Sequence, residues 1–247
     1  MLRMAIGLVA VSCALCVSAG DIQQSQPVAG EANSASSSDQ DDADQLNLLK
    51  DGVRLINEKK PAEAITGAFD KVIAHFESKY RNSEKQIYCA RSMQETILYL
   101  GMALSDKRDA KVLDATWAEA YRLKGYALVE IGQVPEARAS IERAVTLSPW
   151  GAPYQLELGY TYQVEKNWKM SLEVYRAAAS RAEFSPETVK DADRAKALHG
   201  QGFALTELGR LDEAESKYRE SMELVSDDDL AKREIKYILE LKEKRAH

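Results

Sequence analysis

The chain has 247 residues, 45% hydrophobic and 29% charged, with a formal net charge of −6. Removing Arg3 with the N-terminal apolar run leaves −7, and setting aside the six acids from Asp21 to Asp44 leaves about −1 for residues 45–247. A nearly neutral body excludes the basic footprint of a nucleic-acid binder. With Cys13 and Cys16 inside the apolar run, Cys89 stands alone and excludes an intramolecular disulfide once that run is removed.

Arg3 gives a short positive start, Ala5 to Val17 is uncharged and apolar, and Val17-Ser18-Ala19 puts small residues before a cut that leaves Gly20 as the new N-terminus. This composition predicts a secretory signal peptide over 1–19. At about 15 residues the run is shorter than the roughly 20 that a membrane-spanning helix needs. Ala10-Val11-Ser12-Cys13 offers the alternative of lipid on Cys13, which would make the protein a membrane-anchored lipoprotein, although no Leu stands three residues before that Cys. Residues 20–44 are Gln-, Ser-, Ala- and Asp-rich, with Asp21, Glu31, Asp39, Asp41, Asp42 and Asp44 and no base. Such a segment buries too little apolar area to offset its chain entropy and is predicted to be a disordered acidic linker. A signal peptide before a polar linker predicts an exported protein, periplasmic or secreted, of a bacterial envelope. In that oxidising compartment a lone Cys89 is predicted to be buried and inert.

The body, 45–247, reads as helix nearly throughout, with strand-like alternation absent. Leu48, Gly52, Leu55, Ala64 and Ala68, with Pro61 opening a second helix, form a degenerate repeat over 45–78. Residues 82–104 read as one long helix, since Ile87, Ala90, Ile97, Leu100 and Leu104 fall near helical spacing, and Ser105 to Thr116 read as a loop. Tyr121, Gly125, Leu128, Gly132, Ala137, Ile141, Ala144 and Pro149 make a full copy over 118–151. Its helix A covers about 117–131 and its helix B about 135–147, with Pro135 in the first turn of B and Pro149 ending it. Leu158, Gly159, Tyr162, Ser171, Tyr175 and Ala178 make the next copy over 152–185. Leu198, Gly202, Leu205, Gly209, Ala214, Tyr218 and Ser221 make the last over 195–228. Nine extra residues precede that last copy, and Ser185 is predicted to cap a helix opening at Pro186, which lengthens its helix A by about two turns. Asp227-Asp228-Asp229 start a final helix over 229–245, with Leu230, Glu234, Tyr237, Ile238 and Leu241 on one stripe, as a terminal cap requires.

The interval of 34 from Gly125 to Gly159, followed by one of 43 to Gly202, carries a small residue, a large apolar one three later, then Ala, an aromatic and Ala. This pattern resembles the tetratricopeptide repeat family, strongly over 118–228 and weakly over 45–78. The resemblance implies an all-α right-handed solenoid of helix pairs with a C-terminal capping helix. In it Gly125 and Ala137, Gly159 and Ser171, and Gly202 and Ala214 let the paired helices nest. It further implies that the A helices line a concave groove. The residue after each small glycine then faces inward, giving Tyr126, Tyr160 and Phe203, and the residue four before gives Arg122, Leu156 and His199. Positions three and four later give Val129 and Glu130, Gln163 and Val164, Thr206 and Glu207, and the upstream copy offers Leu49, Val53 and Ile56. Three aromatics at one offset predict a ladder of rings, which bury much area at little entropic cost. The Asn residues of a carboxylate clamp are missing and only Arg122 could serve, so capture of a chaperone tail is not expected.

Chemistry has little to stand on. The three histidines, His75, His199 and His247, have no metal-ligand spacing, no Gly-rich phosphate loop occurs, and Cys89 has no evident base. The sequence predicts no catalytic residue, no cofactor and no metal. It predicts a non-catalytic adaptor with a protein or peptide partner and no nucleic acid or small-molecule substrate. A membrane enters only if Cys13 is lipidated. One alternative is an envelope assembly or secretion factor, a pilotin-like lipoprotein, marked by lipid on Cys13. The other is an enzyme with 105–116 as a lid and His199 with Glu207 as its only candidates.

Overall fold

The computed structural model describes residues 37–246. The signal-peptide and Cys13 expectations, and the linker up to residue 36, lie outside the described residues. Helix α1, Ser37–Asn57, pairs with a helix built from α2, Pro61–Ala64, a π turn over Ile65–Phe69, and α3, Asp70–Tyr80. Strand β1, Gln86–Ala90, helix α4, Met93–Ser105, and strand β2, Ala110–Asp114, come next. Three further pairs are α5, Thr116–Glu130, with α6, Val134–Leu147; α7, Ala152–Val164, with α8, Trp168–Arg181; and α9, Lys190–Glu207, with α10, Leu211–Leu224. Helix α11, Asp229–Ala246, closes the chain. Successive pairs stack, so each A helix lies against the next pair, which is the solenoid arrangement expected of the repeats.

The repeat glycines carry out a steric task, against partners one helical turn beyond those expected. A Cβ on Gly159 would lie 2.9 Å from the Tyr175 ring, one on Gly202 would lie 2.6 Å from the Tyr218 ring, and one on Gly125 would overlap Ile141. Each partner stands 16 residues after its glycine. The predicted small residues lie beside these contacts: the Ala137 carbonyl is 3.1 Å from the Gly125 Cβ position, and Ser171 Oγ donates to the Gly159 carbonyl at 3.1 Å. Ala214 is fully buried. In the first pair Gly52 meets Phe69, which stands 17 residues on although helix B opens at the usual offset. The π turn at Ile65–Phe69 absorbs that one extra residue and returns the ring to its glycine. An inserted residue, rather than decay of the motif, explains why this copy reads weakly.

Seven residues after each repeat glycine the backbone turns left-handed, at Lys59 (φ 62), Gly132 (φ 79), Lys166 (φ 59) and Gly209 (φ 75). The following N–H then closes back on helix A, as in Gln133 to the Leu128 carbonyl at 2.8 Å and Asn167 to Tyr162 at 2.8 Å. Lysine in this region crowds its Cβ against the backbone, at about 1–2 kcal/mol. Lys166→Gly is therefore expected to raise the melting temperature by about 2–4 °C. An unchanged or lower midpoint would count against that cost.

The stretch expected as a long helix and a loop is a strand, a helix and a strand. β1 and β2 pair in parallel, Gln86 with Ala110 through Ala90 with Asp114, and α4 crosses between them. Ile87, Tyr88, Cys89 and Ala90 are all buried, so β1 has apolar contacts on both faces and needs the pleat of a strand. Ile87 and Cys89 join the core of the first pairs, whereas Tyr88 and Ala90 pack with Tyr99 and Ala103 under α4. Burial pushes the Cys89 thiol well up, and the residue is inert in the expected sense.

Two smaller differences concern helix ends. Residues 37–44, expected in the linker, belong to α1, where Asp42 accepts from Lys79 Nζ at 2.7 Å. The A helix of the last pair opens at Lys190 rather than Pro186, because Ser185 spends its hydroxyl on Asp193 (2.7 Å) instead of capping. On α11 the buried side chains are Ala231 and Ile238, with Leu230, Ile235 and Leu241 packed beside them. Asp228 caps that helix through the Ala231 N–H at 2.9 Å.

Candidate functional site

Helix α7 packs between α5 and α9, so the nine predicted groove residues come from three neighbouring helices. Their environments divide them. Tyr126, Val129, Leu156, Tyr160, His199 and Phe203 are half-buried, whereas Arg122, Gln163 and Thr206 are buried. Tyr126 and Val129 lean on the core of the first pairs, and Phe203 meets Trp168 edge-on at 5.9 Å between ring centres.

The buried three are structural ties. Arg122 donates from Nε to Glu119 at 2.9 Å and from Nη1 to Glu157 of the next repeat at 3.2 Å. Burial pushes the Glu157 carboxyl up and Arg122 draws it part of the way back. Burial likewise opposes the charge on Arg122, but its two acids hold the guanidinium above its ordinary range. Gln163 lies within 3.5 Å of the Gly200 carbonyl and accepts from Tyr175 Oη at 3.3 Å, joining α7, α8 and α9. Thr206 folds onto its own helix at the Gly202 carbonyl, 2.9 Å away.

His199 was paired with Glu207 in the sequence, but its acid is Asp228. Nε2 lies 2.5 Å from Asp228 Oδ2 and 3.1 Å from Ser221 Oγ, and Ser221 Oγ lies 2.7 Å from the same Oδ2. Ser, His and Asp thus meet, but a relay needs the two ring nitrogens on opposite partners. Here one nitrogen faces both, so the cluster is a clasp holding α9, α10 and the start of α11. Burial pushes the Asp228 carboxyl up, but the Ala231 amide, the Ser221 hydroxyl and His199 outweigh it and hold it below its ordinary range. Ser221 was read as a repeat position and Asp228 as a helix start; their meeting with His199 escaped the sequence reading because a helix-capping Asp carries no mark of a second partner. Among the described residues, no group of three His, Cys, Asp or Glu side chains is placed to hold a metal ion.

A second polar junction lies where the inserted unit meets the turns between repeats. Glu95 is fully buried and accepts from Arg91 at the backbone N (2.7 Å), Nε (2.9 Å) and Nη2 (2.7 Å). The same guanidinium reaches Ser185 Oγ at 3.3 Å and Asp193 at 3.7 Å. Tyr99 Oη meets Ser148 Oγ at 2.8 Å and accepts from the Trp150 N–H at 3.3 Å. The unit is thereby fixed across the α6–α7 and α8–α9 connections.

No family model matches the chain, and no curated protein matches it. Solved structures do. The first tetratricopeptide domain of Spaghetti (RPAP3), bound to the HSP90 peptide SRMEEVD, is 19% identical over 52% of this chain and 98% of its own, with a TM-score of 0.46. MamA from MSR-1 is 20% identical over 81% and 87%, with a TM-score of 0.47. MamA from Desulfovibrio magneticus RS-1 is 14% identical over 83% and 98%, with a TM-score of 0.46. By its recurring glycine contacts, left-handed turns and stacked pairs, this chain folds as a tetratricopeptide-repeat solenoid.

Proposed function

We propose that the protein is a non-catalytic adaptor that receives a segment of a partner protein on the face lined by α5, α7 and α9. The observation that carries this reading is the recurrence of half-buried rings, Tyr126, Tyr160 and Phe203, at one repeat position on three adjacent helices. Half-burial leaves each ring seated against the fold with area still to cover, and rigid aromatics are efficient contacts. Leu156 and Val129 add apolar surface between them, so an extended or helical peptide with apolar anchors suits the face. Arg122, Gln163 and Thr206 leave the binding set, because their polar atoms are already committed within the fold. The reading places the protein outside the cytoplasm, in the periplasm or secreted, on the strength of Arg3, the Ala5–Val17 run and the small residues before Gly20.

The test is alanine at Tyr126, Tyr160 and Phe203, singly and together, with partners captured by crosslinking in envelope extract and the melting curve recorded in parallel. Each single change is expected to weaken capture about ten-fold while the fold is retained. Unfolding of the variants, or capture at full strength by the triple variant, would return the rings to the core.

A further inference from the structure

Helix α4 carries an apolar stripe that is exposed among the described residues. Met93 is 55% exposed, Ile97 65%, Leu100 48% and Leu104 80%. Their spacing of four, three and four residues sets them in one row about 17 Å long. The only charge on the helix is Glu95, which is buried against Arg91. The opposite side of α4, with Tyr99 and Ala103, is the side that packs on the sheet.

The C-terminal end of this row is cationic. Lys107 and Arg108 follow Leu104 in a tight turn, their N–H groups bonded to the Leu104 and Ala103 carbonyls at 3.1 and 2.9 Å. The Gln86 N–H meets the Asp109 carbonyl at 2.8 Å, which brings Lys85 and Arg81 to the same end. These four cations are exposed and none makes an ion pair among the described residues, whereas Lys111, paired with Ile87, faces the other side of the sheet, 5.1 Å from the Tyr80 ring centre. Three acids, Glu84, Asp106 and Asp109, share these loops and leave the end net positive.

We infer that this row and its cationic end form a docking surface for a phospholipid bilayer with anionic headgroups. Ile97, Leu100 and Leu104 enter the boundary of the acyl chains, while Lys107 and Arg108 meet the headgroup phosphates. No described helix is long and apolar enough to cross a membrane, so the contact is interfacial. A second copy of the chain is a poorer occupant. Four side chains on a short helix fall well below the ~800 Å² that each partner brings to a standard interface. Apolar side chains entering a bilayer gain one by one, without such a threshold. The inference stands on the inserted unit alone and is independent of the reading of the A-helix face.

The test uses the chain from Gly20 on, which retains every core side chain from Leu46 onward. It is sedimented with vesicles of phosphatidylglycerol and phosphatidylcholine in equal parts, and with phosphatidylcholine alone. Binding is expected on the mixed vesicles, weakened by high salt. A drop of about ten-fold is expected with either Ile97→Glu or Leu104→Glu, and a smaller one with the Lys107→Glu, Arg108→Glu pair. All these side chains are exposed, so the melting curve should not move, and capture of a partner on the A-helix face should persist. Three outcomes overturn the inference. One is no binding by the parent chain, and the second is binding indifferent to Ile97→Glu and Leu104→Glu. The third is a parent chain that sediments as a dimer and becomes monomeric with Ile97→Glu without vesicle binding, which would give the row to a second copy.

Discussion

Arg122→Ala is expected to lower the unfolding free energy by about 3–5 kcal/mol, measured by urea or guanidinium titration. The guanidinium is buried between Glu119 of its own helix and Glu157 of the next repeat, with N–O distances of 2.8 and 3.2 Å. Truncation leaves two carboxylates facing each other in a site that water enters poorly. Burial already pushes Glu157 up, and the variant would push it further, so part of the loss would be relieved by proton uptake as pH falls. Converting both Arg122 and Glu157 to Met should recover much of the stability, because removing a buried pair together costs far less than orphaning one member. A loss below about 1 kcal/mol for Arg122→Ala would show that the pair is solvated and restore Arg122 as a candidate ligand for a partner. The same reasoning covers the role that the repeat pattern assigned to it: position on an inward face says which way a side chain leaves the helix, not whether an acid from the next helix meets it.

Gly200→Val is expected to cost about 3 kcal/mol. The Tyr175 ring is held between two glycines, Gly159 of its own pair on one side and Gly200 of α9 on the other. A Cβ on Gly200 would fall inside the ring's contact surface, and Gly159 is already within contact distance opposite, so the ring has nowhere to retreat. Tyr175 Oη is also tied to Gln163 at 3.3 Å, which opposes a rotamer change. Gly101→Ala on α4 is the control: no atom lies near its Cβ position, and it should stabilise by about 0.5–1 kcal/mol through helix propensity alone. A double-mutant cycle of Gly200→Val with Tyr175→Ala should return a large coupling. Additive losses would mean that the two residues do not confront each other.

The glycine spacing was legible in the sequence because it reports a steric requirement local to each helix pair. The same spacing hid the left-handed turns at Lys59 and Lys166, where only the structure shows that lysine occupies a position that Gly132 and Gly209 fill in other copies. It also hid the π turn, although the Gly52–Phe69 interval, one residue longer than the other three, was its trace. The inserted unit was misread for a different reason. Gln86–Ala90 and Ala110–Asp114 are five-residue runs, too short for periodicity to separate strand from helix, and a parallel pairing between them leaves no local mark. Ile97, Leu100 and Leu104 share one face of α4, but Ile87 and Ala90, expected on the same helix, lie on β1, and the shared face is exposed.

What the sequence by itself determined is the repeat: which residues pair two neighbouring helices, where each A helix turns into its B helix, and which offsets bring Tyr126, Tyr160 and Phe203 to one register. Those features depend on atoms within a few tens of residues, and a period expresses them. Only the tertiary structure decided that Arg122 is consumed by Glu157, that His199 clasps Asp228, and that the apolar row on α4 is exposed among the described residues. Each of these depends on what another segment brings to the same place, and periodicity records the face that a helix offers without recording what meets it.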